Sequence, residues 1–252
     1  MAKIIAIANQ KGGVGKTTSC VNLTAALTMM GKKVLLVDCD PQGNASSGMG
    51  VPKSTRPNTY DILINGAQAA ECIVHTKYGD VIPTGKELAA ASVELINEDR
   101  REFVLKNALI SLYIEYDYIF LDCPPSLELL TVNALAAADS VIIPMQCEYY
   151  ALEGIVDLIS SIKMCNKHLN KRLEVEGIVL TMYDARANLT TQVANELRKF
   201  LKDKIYNTVI PRSVRLSEAP SHGLPGVVYD KFNKGSKAYM ALAEEFAARC
   251  EA

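Results

Sequence analysis

The chain has 252 residues, 49% of them hydrophobic and 22% charged, with a formal net charge of −1. That composition excludes disorder over most of its length and predicts a sizeable core within the range of one α/β domain. No apolar run reaches the ~18 residues that span a bilayer, and the start, MAKIIAIANQKGG, lacks the regions of a secretory signal.

Lys3 to Asn9 is a short apolar run and predicts a buried strand. Gln10 to Gly15 is a glycine-rich turn. Residues 16–30 have helical spacing and stop at Gly31, a C-cap residue. Residues 33–37 (KVLLV) predict a second strand, ending at Asp38. Pro41, Gly43, Gly48, Gly50, Pro52 and Pro57 then mark a long loop with room for one short helix. Helices are expected over 60–72 and 87–113, with a strand at 80–82 between them. Residues 118–121 (YIFL) predict a strand that runs into Asp122, Cys123, Pro124 and Pro125. A helix over 126–137, a strand over 140–144, a helix over 150–166 and a strand over 175–181 follow. A helix over 189–202, a strand over 205–210 and a helix over 236–249 complete the chain. Buried strands alternating with helices predict an α/β fold: a doubly wound, mostly parallel sheet with helices on both faces. No linker, repeat or low-complexity stretch interrupts it, so a single domain over 1–252 is expected.

Lys11-Gly12-Gly13-Val14-Gly15-Lys16-Thr17-Thr18 lies between the first strand and the first helix. The strict phosphate-loop pattern GxxxxGK[ST] requires glycine where Gln10 stands, but the chemistry is kept. Three glycines let backbone N–H groups turn inward around a β-phosphate. The helix beginning near Lys16 adds its positive N-terminal end. Lys16 can reach the β- and γ-phosphates, and the Thr17 hydroxyl can ligate Mg²⁺. After the second strand comes Asp38-Cys39-Asp40-Pro41-Gln42. A carboxylate at the carboxyl end of a strand points into the crevice where doubly wound sheets bind ligands. Either aspartate alone also suits a helix N-cap or a turn, and Asp122 alone also suits a structural strand end.

The motif KGGVGKTT resembles the deviant Walker A of the ParA/MinD group of P-loop ATPases. The resemblance implies that Lys11 is a signature lysine, crossing a dimer interface to touch phosphates bound by the other subunit. Such a cation, delivered in trans where charge develops, acts like an arginine finger. DCDPQGN at 38–44 resembles the group's DxDPQ pattern. This implies that Asp40 orients or activates the attacking water and that Asp38 supports the Mg²⁺ shell through water. Asp122, with CPPS after it, resembles the Walker B position and its DxPPS segment, implying a hold on a Mg²⁺-bound water. The implied catalytic set is Lys11, Lys16 and Asp40, the metal set Thr17, Asp38 and Asp122, and the cofactors ATP and Mg²⁺.

TMYDAR at 181–186 and IPRSVRLSEAPS at 210–221 are similar to the Soj/ParA branch, the chromosome- and plasmid-partitioning ATPases. That branch implies an adenine contact through Pro211 and Ser213, with serine standing where asparagine is usual; backbone contacts to the base would survive the change. It implies an ATP-dependent homodimer in the cytoplasm, associated with the nucleoid, whose hydrolysis a ParB-type centromere-binding protein stimulates. It also implies that Arg186 and Arg215 bind double-stranded DNA without sequence preference. The charge distribution agrees. Residues 1–159 hold 12 Lys and Arg against 18 Asp and Glu, a balance of −6, whereas residues 160–252 hold 15 against 10, a balance of +5. Arg186 and Arg215 lie in the basic half, as do Lys199, Lys202, Lys204 and Arg212. A basic half on a near-neutral chain is the footprint of a polyanion partner, or simply an unevenly solvated surface.

A MinD-like membrane- or partner-positioning ATPase is the alternative. It needs a basic amphipathic C-terminal helix to lie on lipid. Here Tyr239, Leu242 and Phe246 share a face, but Glu244, Glu245 and Glu251 occupy the polar side, so no membrane anchor is expected. A nitrogenase-reductase-like protein would bridge its dimer with an iron–sulfur cluster. The seven cysteines (20, 39, 72, 123, 147, 165, 250) form no CxxC pair and no Cys/His cluster, which points to a reducing cytoplasm. With the first strand expected at residue 3, no helix-turn-helix extension is expected, and the three histidines (75, 168, 222) are scattered and are assigned no role.

Overall fold

A computed structural model describes residues 1–148 and 151–251. In chain order its elements are β1 (Lys3–Ile7), α1 (Lys16–Met29), β2 (Val34–Asp38), α2 (Asn44–Gly48), α3 (Thr59–Ile64), β3 (Asp80–Ile82), α4 (Leu88–Glu94) and α5 (Val104–Leu109). There follow β4 (Tyr118–Asp122), α6 (Leu129–Ala137), β5 (Ser140–Gln146), α7 (Ala151–His168), β6 (Glu174–Thr181), α8 (Asn188–Leu201), α9 (Val214–Glu218), α10 (Gly226–Tyr229) and α11 (Lys234–Glu251). Residue 150 of the expected 150–166 helix lies outside the described residues.

The strands form one parallel sheet in the order β3-β2-β4-β1-β5-β6. Period-two alternation divides its side chains between two cores. Ile4, Ala6, Leu35, Val37, Ile119 and Leu121 face the layer that contains Leu105, Leu130, Leu158 and Leu197 of α5 to α8. Ile5, Ile7, Val34, Leu36, Tyr118 and Phe120 face α1 and α11. Burial on both faces is why these strands read as unbroken apolar runs. Early crossovers run to one side of β1 and later ones to the other. The reversal leaves a crevice over the carboxyl ends of β1 and β4, where such sheets bind ligands.

The apolar face of α11 closes the second core. Tyr239, Leu242 and Phe246 are buried, and Phe246 meets Tyr118 edge-on with ring centroids 5.1 Å apart. This helix therefore spends its apolar stripe on its own sheet. Truncating a ring in such a place costs about 3–5 kcal/mol. Among the described residues no helix is long and apolar enough to cross a membrane.

Three element expectations differ from the structure. The expected strand over 205–210 makes only isolated bridges, Ile178 to Ile205 and Tyr183 to Pro211. Tyr206 N–H still bonds Ile178 O and Ile210 N–H bonds Leu180 O. Between them, however, the Asn207 and Thr208 N–H groups donate to the Glu245 carboxylate on α11, at 2.8 and 2.9 Å. The stretch 87–113 is not one helix. Asn133 of α6 donates to Arg101 O and accepts from Leu105 N–H, which stabilises a break after the left-handed Arg100. The stretch 60–72 ends its α-helix at Ile64, and a separate 3₁₀ turn covers Ala69–Cys72. In these places a distant polar side chain or a tight turn overrides a helical or strand-like local pattern.

Candidate active site

The loop between β1 and α1 opens onto the crevice. Gly13 and Gly15 have left-handed φ values of 73° and 91°, a conformation that glycine adopts without strain. Gly15 is also the N-cap of α1 and gives it no side-chain cap, which leaves the first N–H groups of the helix for an anion. Thr181 at the end of β6 fixes the loop from behind, its Oγ1 donating to Val14 O at 2.7 Å. Lys16 is only 7% exposed, and its Nζ donates to Lys11 O at 3.0 Å. Burial lowers its pKa, against the opposing pull of Asp122, Cys123 and Asp40.

Three carboxylates stand beneath this loop. Asp38 and Asp122 end adjacent strands and are register partners. Asp38 is wholly buried, and its Oδ2 accepts from Ser46 N–H and Ser46 Oγ at 2.8 and 2.7 Å, while its Oδ1 accepts from Asp40 N–H at 3.2 Å. These bonds tie the 38–46 loop together, so Asp38 acts here first as a loop organiser. Asp122 is also wholly buried, and both of its carboxylate oxygens lack a hydrogen-bond partner. The Thr17 hydroxyl approaches it and favours its charged form, short of hydrogen-bond geometry. Burial, then the charge of Asp38, nevertheless pushes Asp122 well above the usual carboxylate range. Asp40 is 8% exposed, and its Oδ1 accepts from Gln42 N–H at 3.0 Å.

An unpartnered buried carboxylate beside a threonine hydroxyl fits a hydrated divalent cation. Among the described residues no three His, Cys, Asp or Glu side chains converge into a cage. An unpartnered carboxylate and one hydroxyl suit Mg²⁺, which keeps several waters and takes few protein ligands.

Gly12, Gly13, Gly15, Lys16, Thr17, Thr18 and Asp40 line one cavity of about 350 Å³, together with Gln42, Asn44, Pro125 and Met182. A neighbouring cavity of about 210 Å³ shares Gly15, Thr18 and Met182 with it and is lined by Pro211 and Ser213. Thus the structure brings the phosphate loop, Asp40 and the 211–213 segment together. The Ser213 hydroxyl lies 2.8 Å from Asn233 Oδ1, so an amide stands directly behind the serine. Nothing in the local motif signals that contact. Gln146 at the end of β5 and Glu148 two residues beyond it, which hold the loop, and Ser46, which holds Asp38, were equally silent in the sequence.

Arg186 and Arg215 lie apart from these cavities but at the same end of the sheet, on segments joined by the Tyr183 to Pro211 bridge. Arg186, its side chain 91% exposed, forms a forked pair with Asp184 at 3.1 Å. Arg215 pairs with Glu218 at 2.9 Å and approaches Asp230 at 3.6 Å. Both cations are thus exposed and both have a carboxylate partner in the same chain.

A family model described as an AAA domain matches residues 2–175. The chain is 55% identical over 251 residues to the sporulation initiation inhibitor protein Soj of Bacillus subtilis, covering 98% of this chain and 99% of that protein. It is 50% identical over 252 residues to the chromosome partitioning protein ParA of Myxococcus xanthus, covering 99% and 89% respectively. Among solved structures, cobyrinic acid a,c-diamide synthase from Mycobacterium smegmatis with bound ADP and magnesium is similar at a TM-score of 0.88 and 32% identity. That match covers 100% of this chain and 96% of the other.

Proposed function

Because this chain belongs to the Soj/ParA family of chromosome-partitioning ATPases, we propose that it binds and hydrolyses ATP and uses that cycle to grip and release DNA. The observation that carries this reading is the convergence of the phosphate loop and Asp40 on one cavity, above an Asp122 carboxylate with no partner of its own.

In this reading the N–H groups of Gly12 to Thr18 cradle the phosphates. Lys16 turns from Lys11 O to the β- and γ-phosphates. Thr17 would hold magnesium, with Asp122 and Asp38 in support, and the ion would supply neutralisation of phosphate charge. Asp40 has one oxygen fixed by Gln42 N–H and turns the other to an attacking water. Pro211 and Ser213 line the place for adenine. Phosphoryl transfer of this kind needs mainly positioning and charge neutralisation.

Two monomers close over two nucleotides, and each Lys11 reaches the phosphates of the other subunit. The dimer doubles the number of phosphates that Arg186 and Arg215 contact, so ATP turns DNA binding on and hydrolysis turns it off. A ParB-type protein with a basic N-terminal segment stimulates hydrolysis, and the chain associates with the nucleoid. The test is binding to arbitrary duplex DNA with ATP, with ADP and with no nucleotide, across a salt series. Binding with ATP only, falling steeply with log salt, is expected. Failure to bind DNA in any state would refute the DNA half of the proposal.

A further inference from the structure

Lys11 is not free in this chain. Its Nζ pairs with the Glu148 carboxylate across the mouth of the loop, the two side chains being 54% and 53% exposed. Two residues earlier on the same strand end, Gln146 Nε2 donates to Gly13 O at 3.1 Å. Gln146 at the end of β5 and Glu148 two residues beyond it therefore grip the phosphate loop twice, once by its backbone and once by its movable ammonium. A third tie lies within the loop, from Lys16 Nζ to Lys11 O.

We infer that Glu148 is a positioning residue that latches Lys11 in cis and raises the threshold for pairing with a second copy of this chain. The inference rests on the trans role proposed above for Lys11. An ammonium has three N–H donors, but one paired with Glu148 is tied to its own chain and partly neutralised, so that pair competes with phosphates held in another subunit. Phosphate oxygens entering the loop compete for the Lys16 ammonium, which removes the tie on the Lys11 carbonyl. The Lys11–Glu148 pair then opens when a second copy offers a triphosphate, more negative than one carboxylate. An exposed pair is weak and screened by salt, as a latch that must yield requires. Each such pair holds by a factor of about 1.4 to 5, and a dimer breaks two, so the latch weakens dimerisation about 2- to 30-fold.

Glu148→Gln keeps the shape of the side chain and removes its charge. With a non-hydrolysable ATP analogue and Mg²⁺, its dimer dissociation constant by analytical ultracentrifugation should fall about 2- to 30-fold below wild type at low salt. Glu148→Asp should lie between the two, the gap should close in high salt, and monomer affinity for ADP should not change. A wild type that dimerises with the same constant as Glu148→Gln overturns the latch alone, as does a gap that salt leaves untouched or a changed ADP affinity. A wild type that stays monomeric with the analogue overturns the trans role of Lys11 and the latch with it.

Discussion

Asp38 and Asp122 are register partners across β2 and β4, both wholly buried, yet only Asp38 is hydrogen bonded. Burial pushes Asp38 up to about 6 despite its bonds to Ser46, and it pushes Asp122 well above the usual carboxylate range, with the charge of Asp38 adding to the rise. Two carboxylates are thus held where ionisation is unfavourable unless a cation joins them.

The pH dependence follows from these directions. Both folded-state pKa values lie above the unfolded value, so the pair's contribution to stability is present at low pH and is lost as pH rises, for Asp38 through about 6 and for Asp122 at higher pH. A bound cation favours the charged forms and offsets that loss. The melting temperature gained on adding ADP and Mg²⁺ should therefore be larger at pH 8 than at pH 5, by on the order of 5 °C. A thermal-shift series across that range checks it. Asp122→Asn should flatten the difference, and an equal gain at both pH values in the unmodified chain would remove Asp122 from the cation site.

Lys16 and Asp40 line the same cavity but should fail differently. Lys16→Ala removes the buried ammonium beside the phosphates and should weaken ATP binding by about 100-fold or more, the loss of a charge-assisted contact of ~3 kcal/mol. Asp40→Ala should leave ATP binding intact, abolish turnover and accumulate an ATP-bound dimer on DNA. Nucleotide titration separates the two variants, and single-turnover hydrolysis at the unmodified rate in Asp40→Ala would end the role given to that aspartate.

Local sequence disclosed what local physics determines. The strands were legible because each is buried on both faces, so that KIIAI, VLLVD and YIFLD read as apolar runs. The candidate site residues were legible from their places: Asp38 and Asp122 end strands, Asp40 follows one, and Lys16 opens a helix after a glycine-rich loop. What stayed hidden depends on partners far along the chain. Glu148 lies 137 residues from Lys11, and Glu245 draws the Asn207 and Thr208 N–H groups away from the sheet across 38 and 37 residues. The motif could nominate Ser213 but not the Asn233 amide behind it, 20 residues on.

Gly12 offers a test of dimerisation that spares the fold. A Cβ built there meets nothing within 4 Å, and its φ is not left-handed. A Cβ at this position therefore neither strains the backbone nor clashes within the monomer. Gly12→Val should melt within about 2 °C of the unmodified chain, the effect of under 1 kcal/mol in a chain this long, yet fail to dimerise with an ATP analogue. Sedimentation and melting curves together check this. A Gly12→Val dimer of unmodified strength would mean that no second backbone approaches the loop at this point.

The same-chain partners of Arg186 and Arg215 make opposite predictions for the arginines and for their carboxylates. Each arginine that neutralises a phosphate contributes about 0.9 to the slope of log affinity against log salt, so in a dimer Arg186→Ala or Arg215→Ala should reduce that slope by about 1.8. The forked Asp184 contact occupies two of the Arg186 nitrogens, and a DNA phosphate would compete with it for them. Asp184→Asn should therefore strengthen DNA binding at low salt by about 2-fold or more and leave the ATP requirement in place, since the arginine is released without any change at the nucleotide cavity. Fluorescence anisotropy on a duplex of arbitrary sequence, repeated over the salt series, reads both effects. If Asp184→Asn weakens binding while Arg186→Ala leaves the slope unchanged, Arg186 serves the loop after β6 and not the DNA.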